Sequence, residues 1–208
     1  MASTEPIWCS NFLYNSRTFR NLDFELSDNE PKHRAEVSSK FKKGQPLLEN
    51  DVPINIFCKL ATKGDKLPDV FFLTGGLLLL SERFKTLLQD FELGATQFLP
   101  VNVLERDRET PVTTGPFYLM NYTEFREIAV PEQIENARET GARWMVVDIK
   151  AKPVFVRPEC LDGLDFALDP VVFNLAFFSD RLVKAIRAEK IRPLGFVKCV
   201  AVKECWRS

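Results

Sequence analysis

The chain has 208 residues, 45% hydrophobic and 27% charged, a size and balance at which folding buries roughly 70% of the unfolded surface without disulfide or metal staples. A net charge of -1 gives no basic excess to recommend a nucleic-acid partner. The single histidine, His33, sits in polar EPKHRAE, and no two cysteines form a C-x-x-C pair, so the closely spaced ligands of a structural zinc site are missing.

The N-terminus, MASTEPIWCSNF, lacks a basic region followed by a long apolar stretch. With an odd set of cysteines, Cys9, Cys58, Cys160, Cys199 and Cys205, it reads as a cytoplasmic chain with reduced thiols. IWCSNFLYNS and INIFCKL read as strands, and residues 15–45 between them as a mostly polar excursion. Lys40, Lys42 and Lys43 make a small basic run, which is a solvated loop face where no aromatic platform accompanies it.

From Val70 to Ser81 the chain carries no charge. That run is too short for a bilayer, which takes about 20 residues of helix. Gly75-Gly76 has neither the third glycine of a dinucleotide turn nor a P-loop lysine. DVFFLTGG therefore reads as a buried strand ending in a glycine turn, with LLLL leading into a helix capped by Ser81. Phe84, Leu87, Leu88 and Phe91 recur at helical spacing, and Gly94 ends the helix. TQFLPVNVLE follows as a strand, Pro100 marking an edge or a bulge.

Phe117–Asn121 reads as a strand. Pro131 opens a short polar helix over PEQIENARET, with proline at an allowed first-turn position. ARWMVVDIKAKPVFV is one strand or two separated at Pro153, and RPECLDGLDFALDP is an acidic loop. VVFNLAFFSDRLVKAIRAEKIRPLGFVKCVAVKE then repeats the earlier plan: apolar run, serine cap, helix with Leu182, Ala185 and Ile186 on one face, break at Pro193, strand. An offset of 98 superposes the two segments without a gap, pairing Leu77 with Leu175, Ser81 with Ser179, Arg83 with Arg181 and Phe98 with Phe196. Four identities in 29 pairs weigh less than the shared order, which points to an internal duplication. The expected core includes Leu78, Phe84, Leu88, Phe98, Leu182, Ile186 and Phe196.

Chemistry is scarce. One histidine in a polar stretch leaves no Ser-His-Asp or Cys-His arrangement, and no cofactor motif or metal set is present. Asp162 with Asp165 is a carboxylate pair, but a glycosidase needs a sugar cleft around it. The sharpest enzymatic alternative is Asp148-Ile149-Lys150 on a strand, with Asp69 upstream, in the manner of a metal-dependent nuclease. On an alternating strand Asp148 and Lys150 share one face and are equally its polar side. An adaptor without enzymatic activity is the third reading.

DVFFLTGGLLLLSERFKTLLQDFELGATQFLPVNV, followed by GPFYLMN, resembles a family of bacterial immunity proteins from polymorphic-toxin systems. It is the family of the myxobacterial type, long known only as a domain of unknown function. Its pattern is an Asp-led strand, a SERF helix start, a strand with Phe, Pro and Val, and a Y-x-L-N strand. A second Ser-Asp/Glu-Arg-Leu helix is matched here by Ser179–Leu182. The resemblance covers roughly residues 66–203. The D-x-x-x-S stretch that many relatives carry after the Y-x-L-N strand is replaced by YTEFREIAVPEQIENARETGA, which implies a different toxin.

The resemblance implies a non-enzymatic protein that binds and neutralises a cognate toxin in the cytoplasm of the producing cell, with no cofactor, direct nucleic-acid partner or membrane. The expected architecture is α+β, a mixed sheet with two similar strand-helix-strand units in one domain. Residues 1–65 supply N-terminal strands and the polar excursion, and residues 66–208 the immunity-like core. Three segments are candidate toxin contacts because loops vary without disturbing a core. They are the charged turn with Arg106 and Arg108, the 131–140 segment with Glu132 and Glu135, and the acidic loop with Glu159, Asp162, Asp165 and Phe166. Acidic groups around Leu161, Leu164 and Phe166 suit an interface with an apolar centre, although Leu164 and Phe166 can equally pin the loop to the core.

Overall fold

A computed structural model describes residues 5–14, 18–20, 22–26, 30–58, 67–73, 76–112 and 115–202. In chain order the elements are β1 (Ile7–Ser10), β2 (Leu22–Glu25), α1 (Pro31–Lys42), β3 (Asn55–Cys58), β4 (Val70–Phe72), β5 (Leu78–Ser81), α2 (Glu82–Leu88), β6 (Gln97–Leu104) and β7 (Phe117–Asn121). They continue with β8 (Ala137–Thr140), β9 (Arg143–Val146), β10 (Phe155–Val156), β11 (Phe166–Leu168), β12 (Ala176–Ser179), α3 (Asp180–Ala188), β13 (Val197–Lys198) and β14 (Val200–Ala201). A six-stranded sheet has the order β2-β3-β6-β7-β5-β4, and a four-stranded sheet the order β11-β12-β1-β13. Pairs β8-β9 and β10-β14 stand apart from them. The β3-β6 and β10-β14 pairs are parallel and the rest antiparallel, so the fold is α+β on mixed sheet.

The two expected units are present with one plan. In each, a hairpin (β4-β5 or β11-β12) runs into a helix (α2 or α3), and the strand that follows lies parallel to the hairpin's second strand. One antiparallel strand sits between them, β7 in the first unit and β1 in the second. Tyr118 pairs with Leu80 and Pro100, and Trp8 with Phe178 and Lys198. Both partnerships reproduce the offset of 98. The inserted strand comes after the first unit but from the N-terminus for the second, so N-terminal β1 is built into the sheet of the C-terminal unit. The likeness is one of plan, register and a few polar residues; it does not establish a duplication.

Local chemistry explains the helix starts. Ser81 (φ -65°, ψ 156°) accepts from the Phe84 amide at 3.3 Å, and Ser179 (φ -68°, ψ 158°) from the Leu182 amide at 3.2 Å, each satisfying a first-turn donor. LLLL leads into the helix at Ser81 as expected, and it does so as a strand: Leu78–Leu80 are buried in β5, paired with β4 after the turn at Gly76 (φ 89°). Several boundaries differ from expectation. Helix α2 stops at Leu88 rather than near Gly94, which lies in a later turn. Residues 131–133 form a single 3-10 turn and 137–140 a strand, since the segment buries only Pro131 and Ile134 and has no apolar stripe to hold a helix. Helix α1 lies inside the expected polar excursion, buried only through Val37 and Phe41.

One hydrophobic cluster runs from Phe12 to Ile191 and takes in α1, α2, α3 and the six-stranded sheet. The four-stranded sheet has two buried faces. Phe166, Leu168, Ala176 and Phe178 join that cluster, while Ala167, Phe177 and Cys9 turn the other way, onto a second cluster built with residues 128–164. This is the period-two alternation of a strand covered on both sides. Leu78, Phe84, Leu88, Leu182 and Ile186 are buried, but Phe98 and Phe196 only pack against the cluster from its margin. Phe196 lies just before β13, not in it.

Candidate functional site

A cleft of about 740 Å³ lies between β1, the β13-β14 region and the loop 156–165. Ile7, Val156, Leu161, Leu164 and Ala201 contribute its apolar wall, and Glu5, Arg157, Glu159, Asp162 and Lys198 its charges. The loop is shaped by three left-handed residues, Glu159 (φ 53°), Asp162 (φ 45°) and Gly163 (φ 83°). They turn the carboxylates of Glu159 and Asp162 to solvent while Leu161 and Leu164 are tucked in. Leu164 therefore pins the loop, as the simpler reading had it.

Asp165 closes the loop and is 1% exposed. Its Oδ1 accepts from Ser179 Oγ at 2.5 Å and Arg181 Nε at 2.6 Å, and its Oδ2 from the Glu92 amide at 2.8 Å and from Arg181 Nη2. Every lone pair that reaches a donor is used for the fold. The first unit repeats the arrangement: Asp69 Oδ1 accepts from Ser81 Oγ at 2.9 Å, and Oδ2 from Arg83 Nη2 at 2.6 Å. The hydrogen bond to Asp165 raises the pKa of Arg181 and that to Asp69 raises the pKa of Arg83, locking both guanidiniums in the charged form.

The expected contact residues are dispersed. Glu159 and Asp162 are exposed on the cleft rim. Asp165 and Phe166 need correcting: both are buried, Asp165 because it binds Ser179 and Arg181, and Phe166 because it stacks edge-on with Phe178 at 5.1 Å. Arg106 is exposed in a turn. Arg108 lies over the Phe57 ring at 4.0 Å and bonds Glu25 at 2.7 Å. Glu132 is exposed on the 3-10 turn, and Glu135 pairs with Lys152. None of these last four lines the cleft. Its opposite wall, Glu5 to Ile7 with Lys198 to Ala201, was missed because pairing of the two chain ends across β1 and β13 leaves no local signal in sequence.

The nuclease-like triplet is also corrected. Asp148 and Lys150 lie in an exposed turn rather than on a strand, the Asp148 carboxylate accepting the Lys150 amide at 2.9 Å. Asp69 is taken up by Ser81 and Arg83. No group of three or more His, Cys, Asp or Glu among the described residues is placed to hold a metal. Burial pushes the Cys160 thiol up to about 11, and a hydrogen bond with Cys9 together with burial raises Cys199, so neither is an activated nucleophile. Cys205 lies outside the described residues. His33 sits on α1 within 3.2 Å of Asp51, and Lys40 bonds the same carboxylate at 2.8 Å, so Lys40 does not belong to a free basic patch. Among the described residues no helix is long and apolar enough to cross a membrane.

No curated protein matches the chain. A family model does, over residues 23–201 of the 208, covering the first unit, the second unit apart from β1, and the whole 156–165 loop of the cleft, and the chain accordingly belongs to the immunity protein family Imm11.

Proposed function

We propose that the protein binds a cognate toxin in the cytoplasm of the cell that makes it and neutralises the toxin by occupancy, without chemistry of its own. Membership of the immunity protein family carries this reading. The side-chain chemistry supports it. The acids of the Ser-Asp-Arg constellations are committed to capping and clasping secondary structure, and the Asp148 turn has the hydrogen bonding of a surface loop. What the fold offers a partner is surface: two units on a shared hydrophobic cluster, with exposed loops, the arrangement in which recognition varies at constant core.

The test is co-expression with the toxin domain encoded beside this gene. Growth arrest by the toxin, relieved when this protein is co-expressed, together with a purified complex of the two, is the expected result. Full toxicity in the presence of folded protein rules the reading out for that pair.

A further inference from the structure

We infer that the cleft between β1, β13-β14 and the loop 156–165 is the seat for a protruding, basic segment of the toxin, one apolar side chain of which enters the cleft beside a lysine or arginine. The inference rests on the immunity reading and names the surface and the chemistry of its partner.

The cleft is not a consequence of the fold plan. In the first unit Phe117 pairs with Ser81, and Phe71 stands opposite Leu79. The two phenyl rings meet edge-on at 5.4 Å, each 0–1% exposed. At the corresponding register of the second unit Ile7 pairs with Ser179, and Ala167 stands opposite Phe177. Ile7 thus stands where the first unit has Phe117, whereas the ring lost at Ala167 is returned by its strand partner Phe177 in place of Leu79, and Ala167 and Phe177 are both fully buried. The space opens beside Ile7, where the cleft begins. The same register carries a fully buried phenyl ring, Phe117, in one half and a partly exposed Ile7 on the cleft wall in the other.

Charge then selects the occupant. The cleft's guanidiniums are both engaged: Arg181 on Asp165, and Arg157 on the Ala129 carbonyl at 3.0 Å, with Glu127 at 3.7 Å. Glu159 and Asp162 have no ion-pair partner among the described residues, and Glu5 acts on Arg181 and Lys184 only through space. Among the described residues, three carboxylates from two separate segments therefore face two cations, Lys198, which also acts on Asp180, and Arg157, whose charge is partly offset by Glu127 at 3.7 Å. Such a rim attracts a cation and repels an anion.

The layout also favours a polypeptide over a small ligand. Small-molecule sites converge a few polar groups on the ligand within an apolar pocket. Here the buried polar group of the floor, Asp165, is satisfied by its own fold, and the available charges stand at the rim around an apolar centre, as at a protein interface.

The experiment measures association and dissociation of the purified protein with the toxin domain encoded beside its gene, by surface interferometry across a range of salt. The variants are the triple Glu5→Gln/Glu159→Gln/Asp162→Asn, which removes the rim charge, and Ala201→Trp, which fills the cleft. Glu49→Gln, on an exposed turn outside the cleft, is the control. The triple variant is expected to raise Kd at least tenfold, chiefly through slower association, and to flatten the salt dependence of the association rate. Ala201→Trp is expected to raise Kd at least tenfold through faster dissociation, with Glu49→Gln unchanged. If the unaltered protein binds and both cleft variants bind within twofold of it, the cleft is not the seat and the immunity reading stands. If the unaltered protein does not bind, both are overturned.

Discussion

Asp165 and Glu92 hold each other twice: the Asp165 amide donates to the Glu92 carbonyl at 2.7 Å, and the Asp165 carboxylate accepts from the Glu92 amide at 2.8 Å. Asp69 and Arg192 do the same, at 3.0 Å and 3.1 Å. The acid of each unit thus grips the loop behind the other unit's helix. The clasp is reciprocal, and each acid also fixes the serine that caps its own helix. One carboxylate joins hairpin, helix start and partner unit, which explains why Asp, Ser and Arg recur in both halves.

Removing these acids has unequal cost. The Asp165 side chain is 1% exposed and that of Asp69 15%, so water replaces the lost acceptor more readily at Asp69. Asp165→Ala leaves the Glu92 amide and the Ser179 hydroxyl without their partner. The Ser179 hydroxyl is a buried donor, at about 1–3 kcal/mol, and the part-buried Glu92 amide adds less because water reaches it. Chemical denaturation is expected to rank Asp165→Ala below Asp69→Ala in stability, with Asp165→Asn between Asp165→Ala and the unaltered protein.

Asp51 gives the protein an acid-sensitive joint. Burial at 2% exposure raises its pKa, but hydrogen bonds from Lys40, the Leu48 amide and His33 outweigh that and hold it below the ordinary value. A carboxyl depressed in the folded state adds stability above its unfolded pKa and loses it as pH falls through the folded one. The Tm difference between the unaltered protein and Asp51→Asn should therefore be present at neutral pH and shrink as pH drops below about 4. A difference that is constant from pH 7 to pH 3 would show that the pairing contributes nothing.

Much of this was legible in sequence where a local rule operated. Ser81 and Ser179 announce helices because a cap precedes each amphipathic run, and the offset of 98 survives in the strand registers on both sides of Tyr118 and Trp8. The element type of Leu78–Leu80, which lead into the Ser81 helix, stayed open because an apolar run carries no period that separates a buried strand from a helix. Helix α1 hid because Val37 and Phe41 are its only buried positions. The cleft was half visible: Glu159 and Asp162 stood out as acids in a loop, whereas Glu5, Ile7, Lys198 and Ala201 meet them only through pairing of the chain termini.

The turn at Asp148 allows a direct check for hidden catalysis. Asp148 and Lys150 are exposed, and their mutual contact is a backbone amide to a carboxylate. Asp148→Ala with Lys150→Ala should leave toxin protection unchanged and shift stability by less than about 0.5 kcal/mol. Metal-dependent cleavage of DNA or RNA by the pure protein, abolished in the double variant, would restore the nuclease alternative.

The two phenylalanines at the centre and margin of the main cluster calibrate its packing. Phe71 is 0% exposed against Phe117, and its truncation to alanine should cost about 3–5 kcal/mol. Phe98 is only half-buried, so Phe98→Ala should cost clearly less, and equal losses in urea denaturation would contradict the margin assigned to it.

Gly44 and Gly141 separate backbone strain from steric exclusion. Both hold left-handed backbone, at φ 63° and φ 66°, where a Cβ costs about 1–2 kcal/mol. Nothing lies within 4 Å of a Cβ built on Gly141, whereas one built on Gly44 comes within 2.4 Å of the Phe125 ring and 3.2 Å of the Thr123 backbone. Phe125 packs against the main cluster and meets Tyr122 edge-on at 5.9 Å, so it cannot swing away without exposing apolar surface. Gly141→Ala should therefore lose only the conformational cost, and Gly44→Ala that cost plus a displacement of Phe125, for an added loss of about 1–3 kcal/mol. Because α1 ends just before Gly44, the excess should appear as faster amide exchange over residues 37–43. Equal stability losses in the two variants would mean that Phe125 yields freely and that the end of α1 is not fixed by this contact.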